Sequence, residues 1–360
     1  MNKSSLILKY FQKADLLTTR KLEYCRSITS LFKWMVENDK VGVDSTTHLF
    51  NIQSRHRARI IAKENAILAG VEEISYLLAK LTKLSFTPLI KDGQRIKNGQ
   101  TVAKVEGVGS EILGFERTVL NILQRMSGIA TETNHLILIM AGGSSEGLPN
   151  EASLGIAEES LSSDKPALEA KFWVHPEWVH HEGKRERQDL PFLTATRKTP
   201  WMALDKKAVA VGGGLTHRLA LADAVLVKDN HLALLRKKFE LKDDVSAVKK
   251  ALQLILSSTQ NQLIEVEVET ENEAFETVNT FKKINKNNYL AVMFDNFSPA
   301  SFSLVFSKLS NVYDLSSVIF EASGGITKEN IRQWRKTGAD LLSIGALTHS
   351  PRAVNLSLEF

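Results

Sequence analysis

Six short apolar runs in the second half of the chain each lead to a residue that can grip an anion or hold a cation. The runs are Phe192–Thr196, Ala224–Lys228, Leu263–Glu267, Leu290–Phe294, Val318–Ala322 and Leu341–Ile344. At or just past their ends stand Arg197 with Lys198, Lys228, Glu267, Asp295, Ser323 with Gly324 and Gly325, and Gly345 with Ala346. Arg197, Lys198, Arg218 and Lys228, together with His217, would concentrate positive charge in one place. Guanidinium groups suit carboxylates because they bind both oxygens at once, and ammonium groups suit phosphates as point charges. Glu267 and Asp295 set two carboxylates among these bases, as expected where a hard cation such as Mg2+ bridges protein and a diphosphate. The glycines at the last two runs expose backbone N–H groups for a phosphate. This set points to transfer of a phosphorylated sugar onto an acidic acceptor, driven by preorganised charge and needing no protein nucleophile.

Elements must bring these ends together. Between the runs, Val245–Leu256, Glu271–Lys283, Ser298–Lys308 and Thr327–Lys336 carry apolar residues at three and four spacing. Strands alternating with helices predict a parallel sheet, and in a (β/α) barrel the carboxyl ends of separate strands converge on one substrate. Ser298-Pro299 reads as an N-cap followed by proline at the first helical position, and Gly338 as the stop of the last helix. Gly212-Gly213-Gly214 lacks the strand and helix frame of a nucleotide-binding loop.

Upstream the pattern differs. Leu22–Glu37 has a helical apolar face, Ala58–Ala62, Ala66–Ala69 and Thr101–Val105 read as strands, and Val71–Lys83 as a helix between them. Turns at Asp92-Gly93 and Asn98-Gly99 complete a small α+β domain, and a long apolar helix over Gly114–Met140 leads out of it. The expected division is an extension of uncertain structure at 1–20, a first domain at 21–135, and a barrel at 136–349 with an inserted loop at 142–190. That loop is rich in Gly, Ser, Glu and Pro, and it holds His175, His180 and His181. No nearby cysteine or firmly placed carboxylate completes a metal set there, so the histidines read as solvated or packed.

A chain of 360 residues, 43% hydrophobic, can bury the cores of two domains. A net charge of +5 suits nucleic acid, membrane surfaces and small anions alike. Aromatic residues do not interleave with Lys and Arg in a stacking pattern, which argues against nucleic acid. The single cysteine, Cys25, excludes an intrachain disulfide and fits a reducing cytoplasm. Lys9, Lys13 and Asp15 break any N-terminal apolar run, so neither a signal core nor a membrane span is expected.

The ordered motifs are specific. Glu116-Arg117-Thr118, Gln124-Arg125-Met126-Ser127-Gly128-Ile129-Ala130-Thr131, Thr196-Arg197-Lys198-Thr199, Gly212-Gly213-Gly214 with His217-Arg218, Lys228-Asp229-Asn230-His231, Glu265-Val266-Glu267, Phe294-Asp295-Asn296, Glu321-Ala322-Ser323-Gly324-Gly325 and Ser343-Ile344-Gly345-Ala346-Leu347-Thr348-His349-Ser350 resemble the quinolinate phosphoribosyltransferase family. The likeness spans about residues 38–141 and 192–358. It implies an N-terminal α/β sandwich domain to which the C-terminal segment 350–360 returns, an incomplete α/β barrel, and a homodimer in which each sandwich domain covers the partner's barrel mouth. It further implies that Arg117 reaches a quinolinate carboxylate across the dimer, while Arg197, His217 and Arg218 hold the acid within their own subunit. Lys198 and Lys228 would meet phosphoribosyl pyrophosphate or the ring carboxylates, Glu267 and Asp295 the ribose and Mg2+, and Ser323, Gly324, Gly325, Gly345 and Ala346 the phosphate. A nicotinate-using branch and a molybdenum-transport-associated paralogue share the phosphate machinery and differ at the acceptor. Two features depart from the family: Pro200-Trp201-Met202-Ala203-Leu204 replaces a segment that usually ends in arginine, and the 142–190 insertion replaces a short connection.

Overall fold

The computed structural model describes residues 2–42, 44–50, 52–143, 190–260, 262–285 and 287–360; the insertion's histidines His175, His180 and His181 lie outside them. The helices are α1 (Lys3–Phe11), α2 (Leu22–Asn38), α3 (Ser45–Phe50), α4 (Val71–Leu81), α5 (Gly109–Met140), α6 (Ala203–Val211), α7 (Asp229–Phe239), α8 (Asp244–Ser258), α9 (Glu271–Ile284), α10 (Pro299–Val312) and α11 (Ala346–His349). The strands are β1 (Arg55–Ala62), β2 (Ala66–Ile67), β3 (Ser85–Pro88), β4 (Arg95–Ile96), β5 (Thr101–Val108), β6 (Phe192–Thr194), β7 (Val225–Val227), β8 (Leu263–Val268), β9 (Tyr289–Asp295), β10 (Val318–Ser323), β11 (Leu341–Ser343) and β12 (Leu356–Glu359).

Six of the strands pair in parallel in the order β6-β11-β10-β9-β8-β7. β8 shows why: all six of its residues are buried, as a strand covered on both faces requires. Its outward Ile264, Val266 and Val268 join the main core with Val248 and Ala251 of α8 and Ala274 and Val278 of α9. Its inward Leu263 meets a separate apolar cluster of Leu215, Ala291, Ile319 and Leu341 with Leu6, Ile7 and Phe11 of α1. The inside of this incomplete barrel is therefore layered: apolar at the amino end, then Glu265, then Glu267 at the carboxyl end. The loop helices begin on side-chain caps, with Asp243, Thr270 and Ser298 accepting backbone N–H bonds at the starts of α8, α9 and α10.

The first domain carries an antiparallel sheet in the order β12-β1-β5-β3 and a separate β2-β4 pair. The C-terminal strand returns to it, pairing Arg59 with Glu359. Helix α5 touches β2, β5 and β12 on one side and α6 on the other. Gly128 permits that return, because a Cβ there would sit 1.8 Å from the carbonyl oxygen of Arg352.

Two expectations need correction, and two helices stand where none is expected. Residues 1–20 are not an extension: α1 plugs the amino end of the barrel, and Lys3 pairs with Asp340 at 2.7 Å. Nine residues are too few for periodicity to announce such a helix. The helix expected over Thr327–Lys336 is reduced to a 3-10 turn at Ile331–Lys336. Asn330 explains the loss: its side chain accepts from Thr327 N and donates to Gly325 O, closing the preceding loop instead. Helices α6 and α7, unforeseen, begin at Ala203, a short turn past Thr199, and at Asp229, directly after Lys228.

Candidate active site

The carboxyl ends of β8, β9 and β10 place Glu267, Asp295 and Ser323 on adjacent strands, with Ser323 opposite Asp295 in register. Lys228, just past β7, reaches over β8 so that its Nζ lies 2.5 Å from Glu267 Oε2. Burial pushes the Glu267 carboxyl upward from its ordinary value, Lys228 pulls it down, and nearby Asp295 raises it again. A cavity of about 450 Å3 opens beside them, lined by Glu269, Asp295, Asn296, Phe297 and Ser301.

The glycine turn after β10 has a steric cause. Asn296 adopts φ 59°, donates its backbone N–H to Ser323 O at 2.8 Å, and turns its side chain to Asp295 at 2.8 Å. A Cβ at Gly324 would fall 2.2 Å from Asn296 Oδ1 and 3.0 Å from its backbone nitrogen, and φ is +87°. At Gly325 a Cβ would meet nothing within 4 Å, so this backbone borders open space. On the neighbouring strand, a Cβ at Gly345 would lie 3.7 Å from Lys198 Cδ. The structure thus brings Lys228, Glu267, Asp295 and Ser323–Gly325 together, and separately Lys198 with Gly345–Ala346. Arg197 is exposed beside Lys198.

The residues expected at the acceptor are arranged differently. Arg218 is buried, donates to Ala224 O at 3.3 Å, and lines a cavity of about 490 Å3 with Tyr10, Asp223, Leu226 and His231. That cavity runs along β7 and the start of β8, away from the Lys228–Glu267 pair. Lys206, unforeseen, lies buried with its Nζ donating to Thr216 O at 2.6 Å. Burial, and then Arg197 and Arg218, push its pKa down to about 7. Arg117 stands on α5 with its side chain 67% exposed, paired at 3.0 Å with Glu116.

His217, expected in the mouth, is inside the barrel. Its ring lies edge-on to Phe11, and Nε2 stands 3.3 Å from Glu265 and 3.5 Å from Glu321. The reason is the chain's own path: His217 N donates to Phe11 O, and Thr216 Oγ1 accepts from Lys13 N, so the N-terminal segment holds this loop within the barrel gap. Burial opposes a second proton on the ring and the two carboxylates favour it, lifting the pKa to about 10. The Arg218 N–H, however, donates to Nδ1 at 2.8 Å, which needs a lone pair on that nitrogen. With Nδ1 accepting, the ring keeps one proton, on Nε2, facing the carboxylates. The trio has the spacing of a metal site, but a ring nitrogen that carries its proton toward the carboxylates cannot ligate.

Lysine, two carboxylates and a glycine turn thus stand together at the carboxyl face of an incomplete α/β barrel, an arrangement suited to a phosphate-bearing ligand. The C-terminal domain of quinolinate phosphoribosyl transferase matches residues 185–359 and its N-terminal domain residues 44–127. A Methanothermobacter thermautotrophicus protein named "Probable nicotinate-nucleotide pyrophosphorylase (carboxylating)" is 30% identical over 91% of this chain and 97% of its own. A Nicotiana tabacum "Quinolinate phosphoribosyltransferase (decarboxylating) 2b, mitochondrial" is 29% identical over 84% of this chain and 72% of its own. The solved nicotinate-nucleotide pyrophosphorylase of Francisella tularensis superposes with a TM-score of 0.66 at 27% identity, covering 93% of this chain and 96% of that one. The chain belongs to the quinolinate phosphoribosyltransferase family.

Proposed function

We propose that this chain joins quinolinate to phosphoribosyl pyrophosphate, giving nicotinate mononucleotide, carbon dioxide and pyrophosphate for NAD biosynthesis. The observation that carries the reading is the Lys228–Glu267 pair beside Asp295 and the open Gly324–Gly325 turn, in a chain of this family. The ring nitrogen attacks C1 of the sugar as the C1–O bond to pyrophosphate breaks, and the diphosphate leaves with that electron pair. The ring carbon beside the new pyridinium nitrogen then releases CO2, keeps the electron pair and takes up a proton. Glu267 and Asp295 orient the ribose and accumulate negative charge opposite the cationic transition state, while Lys198 and Lys228 face the departing diphosphate. The Ser323–Gly325 and Gly345–Ala346 backbones receive phosphate. Mg2+ fits here, since Glu267 and Asp295 are hard oxygen donors near enough for one to raise the other's pKa; bound with the diphosphate, it would offset the leaving group's charge.

Arg117, Arg197 and Arg218 are the acceptor's carboxylate partners in this reading, Arg117 acting from the partner subunit of a homodimer. Exposure of Arg117 on α5, far in sequence from the barrel strands, supports that assignment. His217 supports the acid site from below rather than facing it. No helix among the described residues is long and apolar enough to cross a membrane. A cytoplasmic setting is supported by the single cysteine, Cys25, which is free and buried. Purified protein incubated with Mg2+, phosphoribosyl pyrophosphate and either quinolinate or nicotinate tests the acceptor. Nucleotide should form from quinolinate; formation from nicotinate alone would move the chain to the nicotinate-using branch.

A further inference from the structure

A closed ring of hydrogen bonds lies behind the two loops that carry Lys198 and Gly345–Ala346. Arg125 of α5 grips Asp205 of α6 through Nε and Nη2, each bond 2.8 Å. The same Nη2 donates to Thr348 O at 2.8 Å. Thr348 Oγ1 donates to Lys198 O at 2.9 Å, and the next residue, Thr199, donates its hydroxyl back to Asp205 Oδ2. Asp205 and Thr348 are fully buried. The Trp201 ring covers the guanidinium, its centroid 5.1 Å from Arg125 Cζ, and Thr199 Oγ1 accepts the N–H of Met202 at 3.1 Å. The segment that departs from the family pattern, Pro200–Leu204, is therefore built around this ring.

We propose that Arg125 and Asp205 are positioning residues that set Lys198 and the Gly345–Ala346 turn at a fixed separation for the phosphoribosyl substrate. Arg125 is suited to this because one planar fork meets a buried carboxylate on one edge and a loop carbonyl beside it. Fixing the loops through their backbones leaves the Lys198 side chain and the glycine N–H groups available to the ligand. Trp201 shields the ring from water, which strengthens its hydrogen bonds. The arrangement also links α5, the helix shared with the first domain, to two strand ends of the mouth. The proposal rests on the phosphoribosyl reading of that mouth.

Steady-state kinetics on Arg125→Lys, Asp205→Asn and Thr348→Val, varying each substrate separately, test it. The KM for phosphoribosyl pyrophosphate should rise about ten-fold or more in Arg125→Lys and Asp205→Asn, with the quinolinate KM changed much less. The Arg125→Lys/Asp205→Asn double variant should be no worse than the weaker single one, since both break the same ring. Thr348→Val, which keeps the side chain's shape and removes only the hydroxyl's donation to Lys198 O and, more weakly, Gly345 O, should show a smaller rise of the same kind and stays informative if the ion-pair variants fail to fold. Equal changes in both KM values, or a lowered melting temperature with unchanged kinetics, would make the ring merely structural. Absence of quinolinate turnover in the unsubstituted protein would instead overturn the functional reading.

Discussion

Lys228 Nζ and Glu267 Oε2 meet at 2.5 Å across the carboxyl ends of neighbouring strands β7 and β8. The lysine side chain is 43% exposed and the glutamate 8%, so the pair joins a group open to ligand with one anchored in the barrel. Substrate diphosphate should draw Lys228 away from Glu267, freeing the carboxylate for the ribose. Glu267→Gln and Lys228→Met should each lower kcat/KM by about a hundred-fold or more while leaving the melting temperature within a few degrees. Retention of more than half the activity by either variant would remove this pair from the site.

His217 offers the opposite pattern. Glu265 and Glu321 are both buried around its Nε2, at 3.3 and 3.5 Å, so removal of the ring takes away the N–H that approaches both carboxylates. His217→Ala should cost about 1–3 kcal/mol in denaturant unfolding, in addition to any kinetic loss. Unchanged stability with a raised quinolinate KM would mean that the ring faces the acid after all.

A second buried acid gives the pH dependence. Glu73 is fully buried, accepts from Tyr24 Oη at 2.7 Å, and is pushed up to about 7, first by desolvation and then by Asp92. Because its folded pKa lies above its unfolded one, its contribution is fully present below the unfolded value and is lost as pH rises through about 7. Melting curves between about pH 5 and about pH 8 should show Glu73→Gln gaining on the unsubstituted protein as pH rises. A difference that stays flat across that window would contradict the assignment.

Arg117 tests the shared mouth. Arg117→Ala and Lys228→Met should each be nearly inactive alone, and mixed dimers should recover activity at one of two mouths, about a quarter of the full value after random exchange. Failure of mixing to restore any activity would place Arg117 outside the partner's site.

The sequence made the barrel legible because each buried strand is a short apolar run between amphipathic helices, and because polar residues and glycines fall at the strand ends. It left His217 misplaced, since its position depends on Phe11 and Lys13, some two hundred residues away in the chain. The Arg125–Asp205 ring was equally hidden: its members stand at 125, 199, 205 and 348, and no local spacing joins them. Helix α1 was missed for a similar reason, because its apolar face has meaning only against the amino end of the barrel that it fills.

The most direct measurement follows the carboxyl group next to the ring nitrogen. Quinolinate labelled at that carboxyl, incubated with the protein, Mg2+ and phosphoribosyl pyrophosphate, should release one labelled CO2 for each nucleotide and each pyrophosphate formed. Nucleotide that retains the label, or no nucleotide at all, would contradict a decarboxylating phosphoribosyl transfer in this mouth.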